Sequence, residues 1–294
     1  MAGWLGMSGS RQSSRAGRSR RPGGKRRRRG PALGVAVLSL IVGVGLLVMA
    51  LPRQFGDAEP AAAGPAFVPA VDATPTASPT PTPSPAATAK PVVYRLPGTP
   101  PRKGDNTFRY GRTTGAVAGT SGTLRRYRIA VENGSEEDVE AFGQQVDAVL
   151  SDPRSWPAGG RVRLQRVAEG EPFSFTVYLA TAVTSHDMCA RGGTNTNVNG
   201  APYTSCRAAG KVIINLDRWN MSVDHFVKAK IPLETYRAYV VNHETGHELG
   251  HRHVRCPGTG RPAPVMMQQT LFLNGCEANP WPYVDGRLHT GPAL

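Results

Sequence analysis

Eleven consecutive residues, His243-Glu244-Thr245-Gly246-His247-Glu248-Leu249-Gly250-His251-Arg252-His253, place four imidazoles and two carboxylates close together in the chain. They contain H-E-x-x-H-x-x-G-x-x-H, a spacing that builds a three-histidine zinc site with a carboxylate base beside it. On an α-helix His243 and His247 are i and i+4, so both leave one face a turn apart and Glu244 points beside them. His251 shares that face, but eight residues of helical rise carry it about 12 Å from His243. Zinc–ligand bonds are about 2 Å, so a straight helix cannot supply the third ligand. Gly250 solves this, because a residue without Cβ takes the left-handed conformation that ends a helix and turns the chain back. The expected ligands are therefore His243, His247 and His253, with Zn²⁺ as the cofactor and Glu244 as the catalytic carboxylate.

The segment before the motif must be a helix for this geometry to exist. Pro232 suits its start, and Leu233, Tyr236, Val240 and Val241 recur as they would on a face packed against a core. The ligands are thus expected on a long, buried active-site helix.

The motif resembles that of the metzincin clan of zinc endopeptidases, whose last histidine is followed by a turn carrying a methionine beneath the metal. Pro262-Ala263-Pro264-Val265-Met266-Met267-Gln268 is the candidate turn here, and the resemblance favours Met266 over Met267; spacing alone does not choose. The region from His243 through Cys276-Glu277-Ala278-Asn279-Pro280-Trp281-Pro282-Tyr283 is also similar to an uncharacterised family of actinobacterial secreted proteins assigned to the zincins. What the resemblance implies is an α+β, metzincin-like domain with a twisted mixed sheet behind the active-site helix. Two departures stand out. Several metzincins have a tyrosine two residues after the turn methionine, where Gln268 or Gln269 stands here. Only 270–294 follows, and Pro280-Trp281-Pro282 argues against a closing helix there.

Residues 32–51 run for 20 positions without a charge, with Ser39 the only hydroxyl, enough at about 1.5 Å per residue to span a hydrocarbon core of about 30 Å. Ahead of them, residues 1–31 hold ten basic residues, including Arg26 to Arg29, and no acidic one. The positive-inside rule leaves that tail in the cytoplasm and exports the remainder. The expectation is a single-pass anchor in the cell membrane, with secretion after cleavage behind Val48-Met49-Ala50 as the alternative. The formal charge is +14, from 35 basic and 21 acidic residues; setting aside the ten in the tail leaves 25 against 21, or +4. The exported part is therefore only mildly basic. The arginine run beside a hydrophobic span is read as a contact with anionic lipid head groups, and no nucleic-acid partner is expected.

Residues 52–91 form a Pro/Ala/Thr-rich linker, with nine prolines between 53 and 91 and few large apolar residues to make a core. In polyproline II conformation it reaches on the order of 100 Å. Residues 92–294 remain, a normal size for one domain. Strands are expected at 126–132, 162–167, 173–180 and 211–216, with a helix capped by Ser135-Glu136-Glu137-Asp138 and running to about Leu150.

All four cysteines lie in the exported part, where disulfides are the default. Of three possible connectivities, Cys189 with Cys206 and Cys256 with Cys276 close the shortest loops. His186, Asp187 and Asn195-Thr196-Asn197-Val198-Asn199-Gly200 read as a polar loop, with a cation-binding role as the alternative. No cysteine upstream of the domain offers a thiolate to block the metal, so the stretch 90–125 is the candidate cover for the cleft.

The expected activity is hydrolysis of a protein or peptide, in which Glu244 takes a proton from a metal-bound water and passes it to the leaving amine. A hydrolase of cell-wall peptides and a non-catalytic envelope-binding module with structural zinc are the alternatives. Oligomeric state is not legible.

Overall fold

A computed structural model describes residues 91–294. The expected anchor at 32–51, the basic tail and nearly all of the linker lie outside the described residues. Among the described residues, no helix is long and apolar enough to cross a membrane.

The domain is a mixed α+β fold. Strands β1 (Phe108–Tyr110) and β2 (Thr123–Glu132) come first, followed by helix α1 (Val139–Ser151). The expected helix forms, and within the expected capping segment 135–138 it is Asp138 that caps α1, accepting the Ala141 N–H at 2.7 Å. A short 3₁₀ turn at Trp156–Gly159 leads to β3 (Val162–Arg166), β4 (Phe175–Ala180) and helix α2 (Ala182–Arg191). The small hairpin of β5 (Asn197–Val198) and β6 (Ala201–Pro202) precedes β7 (Cys206–Ala208) and β8 (Lys211–Asn215). Helices α3 (Leu216–Met221), α4 (Asp224–Lys228) and α5 (Leu233–Glu248) follow, and β9 (Tyr283–Val284) with β10 (Arg287–Leu288) makes a last hairpin.

The main sheet has the order β1-β2-β4-β8-β7. Strands β2, β4 and β8 are parallel, and β1 and β7 are antiparallel edges. Strand β3 pairs in parallel with the first half of β2, from Thr123↔Val162 to Tyr127↔Arg166, and β1 pairs with its last residues. That pairing explains why β2 starts at Thr123, three residues before the alternation in the sequence becomes visible.

Alternation along the strands builds a core on each face. On one face Tyr127, Ile129, Val131, Phe175, Val177, Leu179, Val212 and Ile214 meet Phe142 and Val146 of α1 and Tyr236, Tyr239 and Val240 of α5. On the other, Ala130, Tyr178, Ala180 and Ile213 meet Met188 and Cys189 of α2. The long helix α5 is therefore braced along the sheet.

Three expectations need correction. His186 and Asp187 lie on α2, not in a loop. The Thr, Ser and Asp residues of that segment are weak helix formers, and the helix is stabilised by burial of Met188 and Cys189 against the sheet. The strand expected at 211–216 ends at Asn215, whose side chain accepts the Asp217 N–H at 2.9 Å and starts α3. The stretch suggested as a cover packs elsewhere: Val93 accepts the Leu233 N–H, Leu96 donates to Asn220, and Gly104 donates to the Thr181 hydroxyl. Among the described residues no helix follows α5, and the Pro280 region instead returns to it, with the Asn242 amide donating to the Pro280 carbonyl at 3.0 Å.

Candidate metal centre

Helix α5 stops one residue after His247. The Gly250 N–H bonds to the His247 carbonyl at 3.1 Å and the His251 N–H reaches back to the Gly246 carbonyl at 2.9 Å, while Gly250 sits at φ +96°. This is the double hydrogen bond of a helix closed by a left-handed glycine, and it reverses the chain. Two residues later His253 faces the helix it has just left. Its Nε2 lies 2.9 Å from His247 Nε2 and 3.3 Å from His243 Nε2.

The chemistry of these three nitrogens fits a cation. His243 Nδ1 is 2.8 Å from the Val265 carbonyl and His247 Nδ1 is 2.9 Å from the His251 carbonyl, so both rings carry their proton on Nδ1. Their Nε2 lone pairs then point into one small space, where only a positive centre relieves the repulsion. Tetrahedral zinc at about 2.0–2.1 Å would separate its nitrogens by about 3.3–3.4 Å, close to what is found. Among the described residues these three histidines are the one such group able to hold a metal ion.

Electrostatics keep the rings neutral. Burial brings His243 down to about 3, helped by the neighbouring His247, and brings His253 down to about 4. His247 is lowered too, first by burial and partly by the Arg207 guanidinium, although its bond to the His251 carbonyl works the other way. Neutral imidazoles are the form that ligates. Glu244 is 6% exposed, and burial pushes its carboxyl up to about 8. A cation beside it favours the carboxylate, so a filled site would hold a basic carboxylate ready to accept a proton.

The turn at Met266 supports the ligands from below. Met266 Sδ and Trp156 Cζ2 press against the helix where a Cβ on Gly246 would meet them at 2.4 and 2.5 Å, so only glycine fits between the two helical ligands. Val254, next to His253, donates its N–H to the Met266 carbonyl at 3.2 Å. Met267 faces the other way, packed with Ala263 and Cys276, and its carbonyl accepts the Tyr239 hydroxyl at 3.0 Å. The Cys256–Cys276 disulfide closes this region, and Cys189–Cys206 ties α2 to β7, the pairing expected from loop length. Of the two glutamines after the turn, Gln269 is fully buried and bonded to Pro264 and Asn279, whereas Gln268 lines the cleft. His251 does not join the ligands; it stacks on Trp156 with ring centres 4.3 Å apart.

The histidines and Glu244 lie in a cleft of about 350 Å³. Its far wall is the polar run Thr194–Val198 with Thr204, Ser205, Cys206 and Arg207, and Gln268, Thr270 and Leu271 complete the rim. No residue of 91–125 lines it. Two residues of consequence carry no signal in the motif. Glu248, its side chain 5% exposed, receives Arg207 Nε at 2.7 Å, Arg125 Nη2 at 3.4 Å and the Gly210 N–H at 3.2 Å, which fixes the end of α5 to two strands. Arg207 comes from the edge strand β7, and only the sheet order brings it to the helix.

Comparison with known proteins adds a family. The chain belongs to the family described as "Protein of unknown function (DUF3152)", whose model matches residues 96–280. That span runs from before β1 through the ligands and the methionine turn. No curated protein and no solved structure matches the chain.

Proposed function

We propose that this protein is a zinc-dependent peptidase of metzincin type, held outside the cytoplasmic membrane by residues 32–51. The observation that carries the reading is the convergence of three neutral imidazoles, with His253 Nε2 2.9 Å from His247 Nε2 and 3.3 Å from His243 Nε2, beside a buried Glu244 in an open cleft. Structural zinc sites are closed by four protein ligands, whereas catalytic sites leave a position free, and here three ligands face a cavity.

Bound between His243, His247 and His253, zinc would supply Lewis acidity to a water and to the scissile carbonyl. The chain's own residues do the rest. Glu244 accepts the proton of the attacking water and returns it to the leaving amine, a role suited to a carboxyl whose burial gives it unusual basicity. The carbonyls of Val265 and His251 hold two ligand rings in the correct tautomer. Strand β7 ends the sheet, and among the described residues nothing pairs with its outer edge, so an extended peptide could add there as a further strand. Thr194–Val198 would then cover it from the opposite side.

The test is zinc content and cleavage of a broad peptide library by the full chain, with Glu244→Ala in parallel. One zinc in both proteins with cleavage lost in the variant is the expected result. Zinc without cleavage by either protein would remove the peptidase reading, and absence of zinc would remove the metal site as well.

A further inference from the structure

Arg207 faces the cleft, and the hydrolytic steps above give it no task. It is the middle residue of β7 and lines the cavity with the three histidines and Glu244. The remaining lining side chains, such as Thr194, Asn195, Asn197, Thr204 and Gln268, carry no charge. Among the described residues that line the cleft, Arg207 is therefore the one permanent cation.

Its position is fixed from both sides. Cys206 before it is bridged to Cys189, and Arg207 itself pairs across to Val212 of β8. At the side chain, Nε donates to Glu248 Oε2 at 2.7 Å. Glu248 is shared with Arg125, so two guanidiniums face one carboxylate and the cluster keeps one positive charge in excess. The bond at Nε leaves both Nη groups of Arg207 without a hydrogen-bond partner among the described residues, and its side chain is 36% exposed. Two free, coplanar N–H groups on an anchored guanidinium are the geometry that receives a carboxylate in bidentate fashion. A neutral wall with a single fixed cation repels basic substrate residues and rewards acidic ones.

We propose that Arg207 selects peptides with a carboxylate near the scissile bond, received by its two terminal nitrogens; this rests on the peptidase reading above. The carboxylate is either an acidic side chain or a free C-terminus. Both present the same chemistry to a guanidinium.

The test measures binding apart from turnover. Zinc-loaded full chain carrying Glu244→Ala is titrated calorimetrically with capped, alanine-rich heptapeptides in which one Glu moves along the sequence. Each has a Gln twin, and a further pair differs only in a free or amidated C-terminus. At least one carboxylate peptide should bind about tenfold or more tighter than its twin, a gap in keeping with a charge-assisted bidentate contact, and the gap should collapse when Arg207→Gln is added. The pair that shows the gap identifies the source of the carboxylate. Equal binding within every pair, or no binding at all, overturns the inference. Melting curves show whether Arg207→Gln still folds after losing its bond to Glu248, and the acid–amide comparison with Arg207 intact stands without that variant. Hydrolysis by the chain with Glu244 restored is scored separately: discrimination without cleavage sinks the peptidase reading and retains the carboxylate site, and cleavage without discrimination does the reverse.

Discussion

The floor of the cleft is made from one short run of chain and the turn after it, whereas the facing wall is gathered from the run after α2, the strand β5 that it enters, and the edge strand β7. In the floor, His243, Glu244, His247 and His253 lie within eleven residues and are held by backbone hydrogen bonds and a glycine turn. In the wall, Thr194–Val198 and Arg207 are held by the Cys189–Cys206 bridge and by Glu248, which belongs to the floor. Reaction chemistry needs sub-ångström placement and gets it from local, cooperative structure; recognition tolerates a longer loop secured at its ends. If that division is right, the two regions can be damaged separately.

The largest effect should come from Glu244→Gln, which keeps the shape of the floor and removes its base. Peptide hydrolysis is expected to fall roughly 10²–10⁴-fold with zinc content unchanged, measured by turnover and metal analysis. Activity within tenfold of the parent would move the proton transfer to another group. Next is the wall: replacing Cys189 and Cys206 together with serine opens a bridge across 17 residues and should cost about 2–4 kcal/mol in denaturant unfolding. KM should rise while zinc affinity holds, because the bridge joins α2 to β7 and none of the three histidines lies on either. A parallel loss of zinc would show that floor and wall do not separate.

Gly246→Ala attacks the floor from beneath. Its Cβ would meet Met266 Sδ and Trp156 at 2.4 and 2.5 Å, and overpacking of this kind costs about 1–3 kcal/mol. Both the melting temperature and zinc affinity should drop; an unchanged affinity would mean that the methionine turn does not support the ligands. The smallest effect is a pH dependence confined to the floor. In the zinc-free protein His243 and His253 sit at about 3 and about 4, below the ordinary histidine value of about 6.5. Folding therefore favours their neutral forms, and the stability they contribute is present above the unfolded value and lost as pH falls through the folded ones. Glu244, raised to about 8, contributes in the opposite sense: its share is complete below about 4.5 and lost as pH rises through 8. The melting temperature of zinc-free protein should accordingly fall on acidification below about pH 6, and zinc, which binds the neutral rings, should raise it near neutral pH and lose that effect as pH falls. A flat profile without zinc would mean that burial does not hold these rings neutral.

The floor was legible because its information is periodic. Histidines at i and i+4 can only share a helix face, and a glycine three residues on can only be useful as a turn. The capping segment 135–138, the strands near 162–167 and 173–180, and the cysteine pairing by loop length were readable for the same reason, since each depends on neighbours in the chain. Helix α2 was not: its residues favour a loop, and packing against β4 and β8 overrides them. Glu248 sits inside the motif and still gave no sign of its role, because its partners come from β7 and from β2, the latter 123 residues away.

The sequence by itself determined which three histidines converge, which carboxylate stands beside them and the point at which the helix must end, because helical spacing turns residue number directly into direction. Tertiary structure alone decided that the polar run after α2 faces those ligands, that Met266 fills the space left by Gly246, and that Arg207 reaches the cleft. Those contacts depend on which strand lies at the edge of the sheet and on what packs beneath the helix, and burial of the whole core settles both at once.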